Sequence, residues 1–167
     1  MIQVYTGNGK GKSTAAFGLA LRASGAGLNV YIAQFVKGRC CSEVKALKKI
    51  KNIKLEQFGR SCFVGKAPNK IDIQLALKGF KKVTEVIFKE KFSLVILDEI
   101  NVAVKLKLVP VASLLKLIES MPKSVELVLT GRCAHPKVLE ASDLVSEVRD
   151  LKHYYRQGTK ARRGIEF

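Results

Sequence analysis

The chain has 167 residues, a length typical of one domain that buries its own core. Apolar residues make up 47% of it and charged residues 26%, which is the composition of a globular protein and excludes a disordered tail. No apolar run approaches the roughly 18 residues of a membrane-spanning helix, and the N-terminus runs into a glycine-rich loop rather than a signal peptide, so we expect a cytoplasmic protein without a membrane partner.

The charge is strongly basic. Thirty Lys and Arg against fourteen Asp and Glu give a net charge of +16, so the surface attracts anions. The basic residues lack the interleaved aromatic residues of an RNA-binding sheet, which disfavours a nucleic-acid partner. The four cysteines have no CxxC spacing, so neither a disulfide framework nor a zinc knuckle is expected, and Cys133 with His135 offers only two metal ligands.

Apolar patterning predicts strands that alternate with helices. Short buried runs predict strands over residues 2–5, 29–35, 53–58, 92–97, 125–129 and 144–148. Three-four spacing and end signals predict helices over residues 13–23, 42–49, 71–90, 111–121 and 136–141, the third being the longest. Residues 59–70 are predicted as a loop and 152–167 as a polar, basic tail. This order predicts one α/β domain over residues 1–167, with helices on both faces of a mostly parallel sheet.

The strongest motif is TGNGKGKST, residues 6–14, between the first predicted strand and the first predicted helix. It fits the Walker A pattern from Gly11 onward, although Thr6 stands where the pattern has its first glycine. Its glycines let backbone N–H groups turn inward, and the helix N-terminus and Lys12 add positive charge. The alternative is a glycine-rich turn with unrelated lysines. The residues predicted to bind ATP are Thr6, Gly7, Asn8, Gly9, Lys10, Gly11, Lys12, Ser13 and Thr14.

Polar residues follow the other strands at the edge where open α/β sheets bind ligands. Asp98 and Glu99 occupy the Walker B position, where carboxylates hold Mg²⁺ directly or through water; the alternative is a pair that caps a helix. Arg132 reaches the same edge and can pair with phosphate oxygens, unless it is an ordinary surface arginine. Lys37 is similarly placed. We therefore predict a P-loop (RecA-like) three-layer α/β/α fold.

The chain resembles the ATP:corrinoid adenosyltransferases of the CobA/BtuR/CobO type over nearly its whole length. The strings that carry the resemblance are, in order, TGNGKGKST, AAFG at 15–18, QFVKG at 34–38, LDEIN at 97–101, LTGR at 129–132, KHYY at 152–155 and KARRGIEF at 160–167. The resemblance implies a transferase in which the cobalt(I) of cob(I)alamin or cob(I)yrinic acid a,c-diamide attacks the 5′ carbon of ATP. Triphosphate then leaves intact, and the loop holds ATP in the reverse sense.

The resemblance also implies roles for single residues. Lys12, Glu99 and Arg132 would be catalytic, and Arg132 would bind ATP together with the loop. Ser13 and Glu99 would hold Mg²⁺, with Asp98 supporting them. The family's corrinoid site uses aromatic residues in the loop after the third strand. This chain reads GRSCFVG over residues 59–65, so Phe63 is the counterpart there, unless it packs in the core, and Lys37 is a second candidate.

Partners follow from the same resemblance, which implies a homodimer and an electron-donating reductase. The first predicted strand begins at Ile2, without the extension that caps the site in some relatives, so we expect another segment or subunit to close the site, or an open site. Two other functions fit the same residues: a P-loop NTPase or kinase that cleaves the γ-phosphate, and a nucleotide-regulated binding module. The product, triphosphate or ADP, separates the transferase from the NTPase.

Overall fold

Six strands form one sheet in the computed structural model, which describes residues 1–38, 41–60, 68–89 and 91–167. They are β1 (Ile2–Thr6), β2 (Val30–Phe35), β3 (Ile53–Phe58), β4 (Leu94–Asp98), β5 (Glu126–Thr130) and β6 (Leu144–Glu147). All neighbouring strands are parallel, in the order β3-β2-β4-β5-β1-β6. Strands β2 and β4 are buried along their whole length, as expected for apolar strands covered on both faces.

Helices cover both faces of this sheet. They are α1 (Lys12–Gly25), α2 (Ser42–Leu47), α3 (Lys70–Lys89), α4 (Ile100–Lys105), α5 (Val111–Ser120) and α6 (Pro136–Glu140). One apolar cluster joins α1 and α2 to one face of the sheet, and a second joins the other four helices to the opposite face. The predicted three-layer α/β/α fold is therefore confirmed, with a sheet that is parallel throughout the described strands.

Three local features differ from the sequence predictions. Helix α4 was not predicted, because it is short, follows Glu99 directly and contains three β-branched residues, which give a weak helical signal. The tail contains a 3-10 helix, Tyr154–Gln157, where only irregular chain was expected. On α3, Val83 and Ile87 are buried, whereas Ile73, Leu77 and Phe88, which share their three-four spacing, are exposed. The sheet packs against the face of α3 that contains the small residues Ala76 and Gly79 together with Val83.

The carboxyl ends of four strands place the predicted site residues on one edge. The P-loop (residues 6–14) follows β1, Lys37 follows β2, Asp98 and Glu99 end β4, and Arg132 follows β5. Because β5 lies between β1 and β4, Arg132 emerges between the P-loop and the acidic pair. Among the described residues, no helix is both long and apolar enough to cross a bilayer.

Candidate active site

A cavity of about 870 Å³ opens beside the P-loop. One part of its lining is charged or polar and contains Gly9, Lys10, Gly11, Lys12, Ser13, Thr14, Lys37, Glu99 and Arg132. Another part is apolar and contains Phe17, Leu21, Ala46, Leu47, Ile50, Ile165 and Phe167. The cavity therefore combines an anion-binding region with an apolar region, a combination suited to a nucleotide.

The P-loop takes its shape from contact with the chain that follows β6. The N–H of Gly9 donates to the carbonyl oxygen of Val148 at 2.8 Å. A Cβ atom on Gly9 would lie 2.7 Å from the carbonyl oxygen of Arg149, so only glycine fits at this close approach. Three of the residues predicted to bind ATP do not line the main cavity: Thr6, Gly7 and Asn8. Asn8 instead lines a separate hollow of about 350 Å³.

Lys12 is the buried cation of the loop, with 7% of the residue exposed. Its Nζ donates to the carbonyl oxygen of Gly9 at 2.6 Å. Burial lowers the pKa of Lys12, and the nearby Arg132 lowers it further, against the opposing effect of Glu99. An anion between Lys12 and Arg132 would relieve both the burial cost and the repulsion, which makes this position a phosphate site.

Asp98 is held inside the sheet and does not line the cavity. Its side chain is fully buried; Oδ1 accepts a hydrogen bond from Thr130 Oγ1 at 2.7 Å and Oδ2 accepts one from Gln34 Nε2 at 2.8 Å. Gln57 Nε2 in turn donates to Gln34 Oε1 at 2.7 Å. These four side chains lie on four adjacent strands, so Asp98 is fixed by a polar network across the sheet.

Glu99 presents its carboxylate to the cavity from a left-handed backbone conformation, with φ at 60°. Its N–H donates to Thr130 Oγ1 at 3.0 Å, and Lys37 Nζ lies 3.6 Å from Oε1. Burial raises the pKa of Glu99, as does Asp98, while Lys37 and Lys12 oppose this. Burial lowers the pKa of Lys37, but Asp98 and Glu99 outweigh this effect and leave it raised.

Glu99 precedes α4, yet its side chain makes no capping hydrogen bond, and the oxygens of Asp98 are bonded to Thr130 and Gln34. The alternative of a helix-capping pair is therefore wrong. Arg132 is exposed, but it lines the cavity and is close enough to lower the pKa of Lys12. Arg132 thus borders the predicted phosphate site, and its role there stays a prediction.

The donor set for a metal consists of oxygen atoms. The Ser13 hydroxyl and the Glu99 carboxylate both border the cavity, and Mg²⁺ prefers such ligands. Within the described part of the chain, no group of three or more His, Cys, Asp or Glu side chains could hold a metal ion. These residues fit Mg²⁺ bound together with substrate phosphates, as is usual for that ion. His135 Nδ1 instead accepts from the N–H of Lys137 at 3.3 Å and caps α6.

Of the two residues predicted to bind the corrinoid, one lies in the described part of the chain. Lys37 borders the main cavity, whereas Phe63 lies outside the described residues. Two described residues that flank positions 61–67 in sequence are joined: Arg60 Nε donates to Asp72 Oδ1 at 2.6 Å and Arg60 Nη2 donates to Asp72 Oδ2 at 2.9 Å. Asp72 Oδ2 also accepts from the N–H of Asn69 at 2.9 Å.

Sequence reasoning missed the part of the site that the tail supplies. The tail residues that line the cavity are His153, Gly164, Ile165, Glu166 and Phe167. The sequence pattern predicted only a polar, basic tail. Two apolar residues in the string KARRGIEF, Ile165 and Phe167, were the signal that this segment packs against the rest of the domain. The rest of the apolar lining, which includes Phe17, Leu47 and Ile50, was likewise missed; together with Ile165 and Phe167 it forms the apolar wall of the cavity.

Comparison with known proteins identifies the family of this chain. The family model described as ATP:corrinoid adenosyltransferase BtuR/CobO/CobP matches residues 1–167. A corrinoid adenosyltransferase of a Sinorhizobium species is 36% identical, over 100% of this chain and 80% of the relative. Corrinoid adenosyltransferases of Pseudomonas aeruginosa and Salmonella typhimurium are 33% and 32% identical, each over 100% of this chain and over 83% and 85% of their own lengths. The chain therefore belongs to the ATP:corrinoid adenosyltransferase family.

Proposed function

We propose that this protein transfers the 5′-deoxyadenosyl group of ATP to the cobalt(I) of a reduced corrinoid and releases triphosphate. The observation that best supports this is the pairing of two unlike regions in one cavity. Lys12 and Arg132 flank the anion-binding region, and an apolar wall from α1, α2 and the tail adjoins it. A triphosphate fits the first region and an adenosyl group the second.

The chemistry requires stabilisation of a leaving group rather than transfer of a proton. The electron pair of cobalt(I) forms a bond to the 5′ carbon, the bond from that carbon to oxygen breaks, and its electron pair leaves on the triphosphate. Lys12, Arg132 and the loop N–H groups stabilise that growing negative charge, each donor contributing about 2–4 kcal/mol to lowering the barrier. Because cobalt(I) carries no proton to remove, no general base is needed.

Ser13 and Glu99 are the residues we propose as Mg²⁺ ligands. A bound Mg²⁺ supplies positive charge to the phosphate oxygens. Asp98 fixes the end of β4 through Thr130 and Gln34, and thereby supports the backbone from which Glu99 projects. Lys37 balances the charge of Glu99.

The corrinoid itself is proposed to contact Phe63, as the family resemblance implies, and Lys37 is a second candidate. Cob(I)alamin and cob(I)yrinic acid a,c-diamide are the two candidate substrates. A homodimer and an electron-donating reductase belong to the same proposal. Substituting Phe63 and comparing a corrinoid that has the lower axial base with one that lacks it separates corrinoid recognition from packing.

The proposal is tested by incubating the purified protein anaerobically with ATP, Mg²⁺ and chemically reduced cob(I)alamin. We expect a light-sensitive adenosylated corrinoid and an equal amount of intact triphosphate. Cob(II)alamin without a reductant is the matched control and should give neither product. Formation of ADP and phosphate without an adenosylated corrinoid would instead identify a γ-phosphate-cleaving enzyme and contradict the proposal.

A further inference from the structure

Lys10 of the P-loop borders the cavity, yet its ammonium group is bonded to the tail. Its Nζ donates to the hydroxyl of Tyr154 at 2.7 Å, to Glu166 Oε1 at 2.8 Å and to the carbonyl oxygen of Ile165 at 3.0 Å. A lysine ammonium group has three N–H donors, so these partners use all of them. Lys10 therefore has no donor left for a phosphate oxygen, in contrast to Lys12, which donates to one backbone carbonyl.

Glu166 is the centre of this contact on the tail side. Besides Lys10, its carboxylate accepts from the Tyr154 hydroxyl and from the N–H of Arg162 at 2.6 Å. The guanidinium of Arg162 lies against it, with Nη2 at 3.3 Å from Oε1. Arg162 and Lys10 hold the pKa of Glu166 far below its usual range. The carboxylate thus joins the P-loop, the 3-10 helix and the last turn of the tail.

The same turn reaches across to α2. The N–H of Gly164 donates to the carbonyl oxygen of Phe167 at 2.7 Å, and Ser42 Oγ donates to that same oxygen at 3.1 Å. Ser42 is the first residue of α2, a helix that supplies Ala46 and Leu47 to the apolar wall. Residues 162–167 therefore connect the P-loop to α2 across one side of the cavity.

We propose that Lys10 and Glu166 form a latch that positions the tail as a wall of the nucleotide site. Glu166 is a positioning residue: it holds Ile165 and Phe167 where they complete the apolar region, and it acts on the nucleotide only through that wall. The inference rests on the proposed function for the identity of the ligand, ATP. It also changes the role of Lys10, which the sequence assigned to phosphate binding.

The latch and the alternative in which Lys10 binds a phosphate group predict opposite effects of Glu166→Gln on the affinity for ATP. If Lys10 were a phosphate ligand restrained by Glu166, removing the Glu166 charge would free that lysine and remove a negative charge near the triphosphate, so ATP would bind more tightly. If Glu166 positions the wall, removing its charge loosens the wall and ATP binds more weakly. Lys10→Met weakens binding in both cases, so Glu166→Gln is the discriminating variant.

The first test measures binding of Mg·ATP without a corrinoid, by titration calorimetry of the full chain. We expect Glu166→Gln and Lys10→Met each to raise the Kd about tenfold, and the double variant to be no weaker than either single, because both remove the same interaction. Exposed Glu119 provides the matched control, and Glu119→Gln should not change the Kd. Tighter binding by Glu166→Gln, or additive losses in the double variant, would overturn the latch.

A second test measures how tightly the tail is held, by limited proteolysis, and needs no nucleotide. Trypsin cleaves after Lys160, Arg162 and Arg163, which lie beside the latch. We expect cleavage there to be several-fold faster in Glu166→Gln and Lys10→Met than in the wild type and Glu119→Gln, with unchanged Tm. Equal cleavage rates would show that these residues do not hold the tail. Failure of adenosyl transfer would leave both readouts intact, so it is distinguishable from failure of the latch.

Discussion

Two lysines of the P-loop, Lys10 and Lys12, differ in surroundings although only one residue separates them. Lys12 is buried and bonded to its own loop, whereas Lys10 is 41% exposed and bonded to the tail. The Walker A pattern identifies Lys12 by its place before Ser13. It gives no information on Lys10, because the partner of that lysine, Glu166, lies 156 residues away.

We expect Lys12→Ala to slow adenosyl transfer strongly while the protein stays folded. The side chain bonds to the carbonyl oxygen of Gly9 and borders the cavity, so its loss removes a cation from the leaving group without opening the core. We expect adenosyl transfer to fall by about a hundredfold or more. Steady-state kinetics and circular dichroism check the two parts. Exposed Lys116, changed to Ala, is the control, and normal turnover by Lys12→Ala would refute the assignment.

The acidic pair shows how far sequence reasoning reaches for single residues. An apolar strand ending in two carboxylates predicted correctly that both lie at the carboxyl end of β4, whereas their part in ligand binding stays a prediction. Which of the two faces the cavity depends on the left-handed backbone of Glu99 and on Thr130 and Gln34, which hold Asp98. Those partners come from strands distant in sequence, so the pattern around residues 98–99 contains no sign of them.

At the level of elements, the start of α3 depends on a buried ion pair. The Asp72 side chain is 1% exposed and accepts two hydrogen bonds from Arg60 and one from the N–H of Asn69. Arg60 is 32% exposed, so the pair lies at the boundary of the core. We expect Asp72→Asn to lower the free energy of unfolding by about 2–3 kcal/mol at pH 7, because it removes the negative charge from the side chain that accepts both guanidinium hydrogen bonds.

The same pair gives the stability a defined pH dependence. Arg60 lowers the pKa of Asp72 in the folded state, so the pair stabilises the protein above the unfolded-state pKa of about 3.9. That stabilisation is lost as the pH falls through the folded-state pKa. Denaturant unfolding of the wild type and Asp72→Asn should therefore show a difference that is constant near neutral pH and shrinks below about pH 4. A difference independent of pH would contradict the role of the ion pair.

Helix α3 approaches β3 closely at Gly79. A Cβ atom there would lie 2.7 Å from the Cβ of Phe58, so Gly79→Ala must displace the helix or the ring. We expect it to lower the free energy of unfolding by about 1–3 kcal/mol, even though alanine favours a helix. Gly18, within α1, is the matched control because a Cβ there meets nothing within 4 Å. Gly18→Ala should be neutral or stabilise by up to about 1 kcal/mol in the same measurement.

Elements with strong periodicity were predicted and elements set by tertiary contacts were not. The strands and α3 follow from runs and spacing of apolar residues. Helix α4 does not, because residues 100–105 include β-branched residues that favour a strand, and the turn at Glu99 redirects them. The order of the tail comes from Lys10 and Ser42, which no local pattern could reveal.

At the scale of the whole molecule, alternation of strands and helices predicted the layers but not the strand order. The order β3-β2-β4-β5-β1-β6 places β5 between the P-loop strand and the strand of the acidic pair. That insertion brings Arg132 beside Lys12 and creates one cation-rich edge. The net charge of +16 is consistent with such an edge but does not locate it, because basic residues are spread along the chain.

The position of β1 in the sheet also determines when the site can form during synthesis. Of the six described strands, β1 is synthesised first, yet its neighbours β5 and β6 begin at Glu126 and Leu144. At typical translation rates, β1 waits on the order of ten seconds for them. Its loop needs the same late segment, since Gly9 bonds to Val148. The P-loop therefore takes its final shape only after residues 126–148 have been synthesised, so a phosphate ligand of this loop cannot guide the earlier steps of folding.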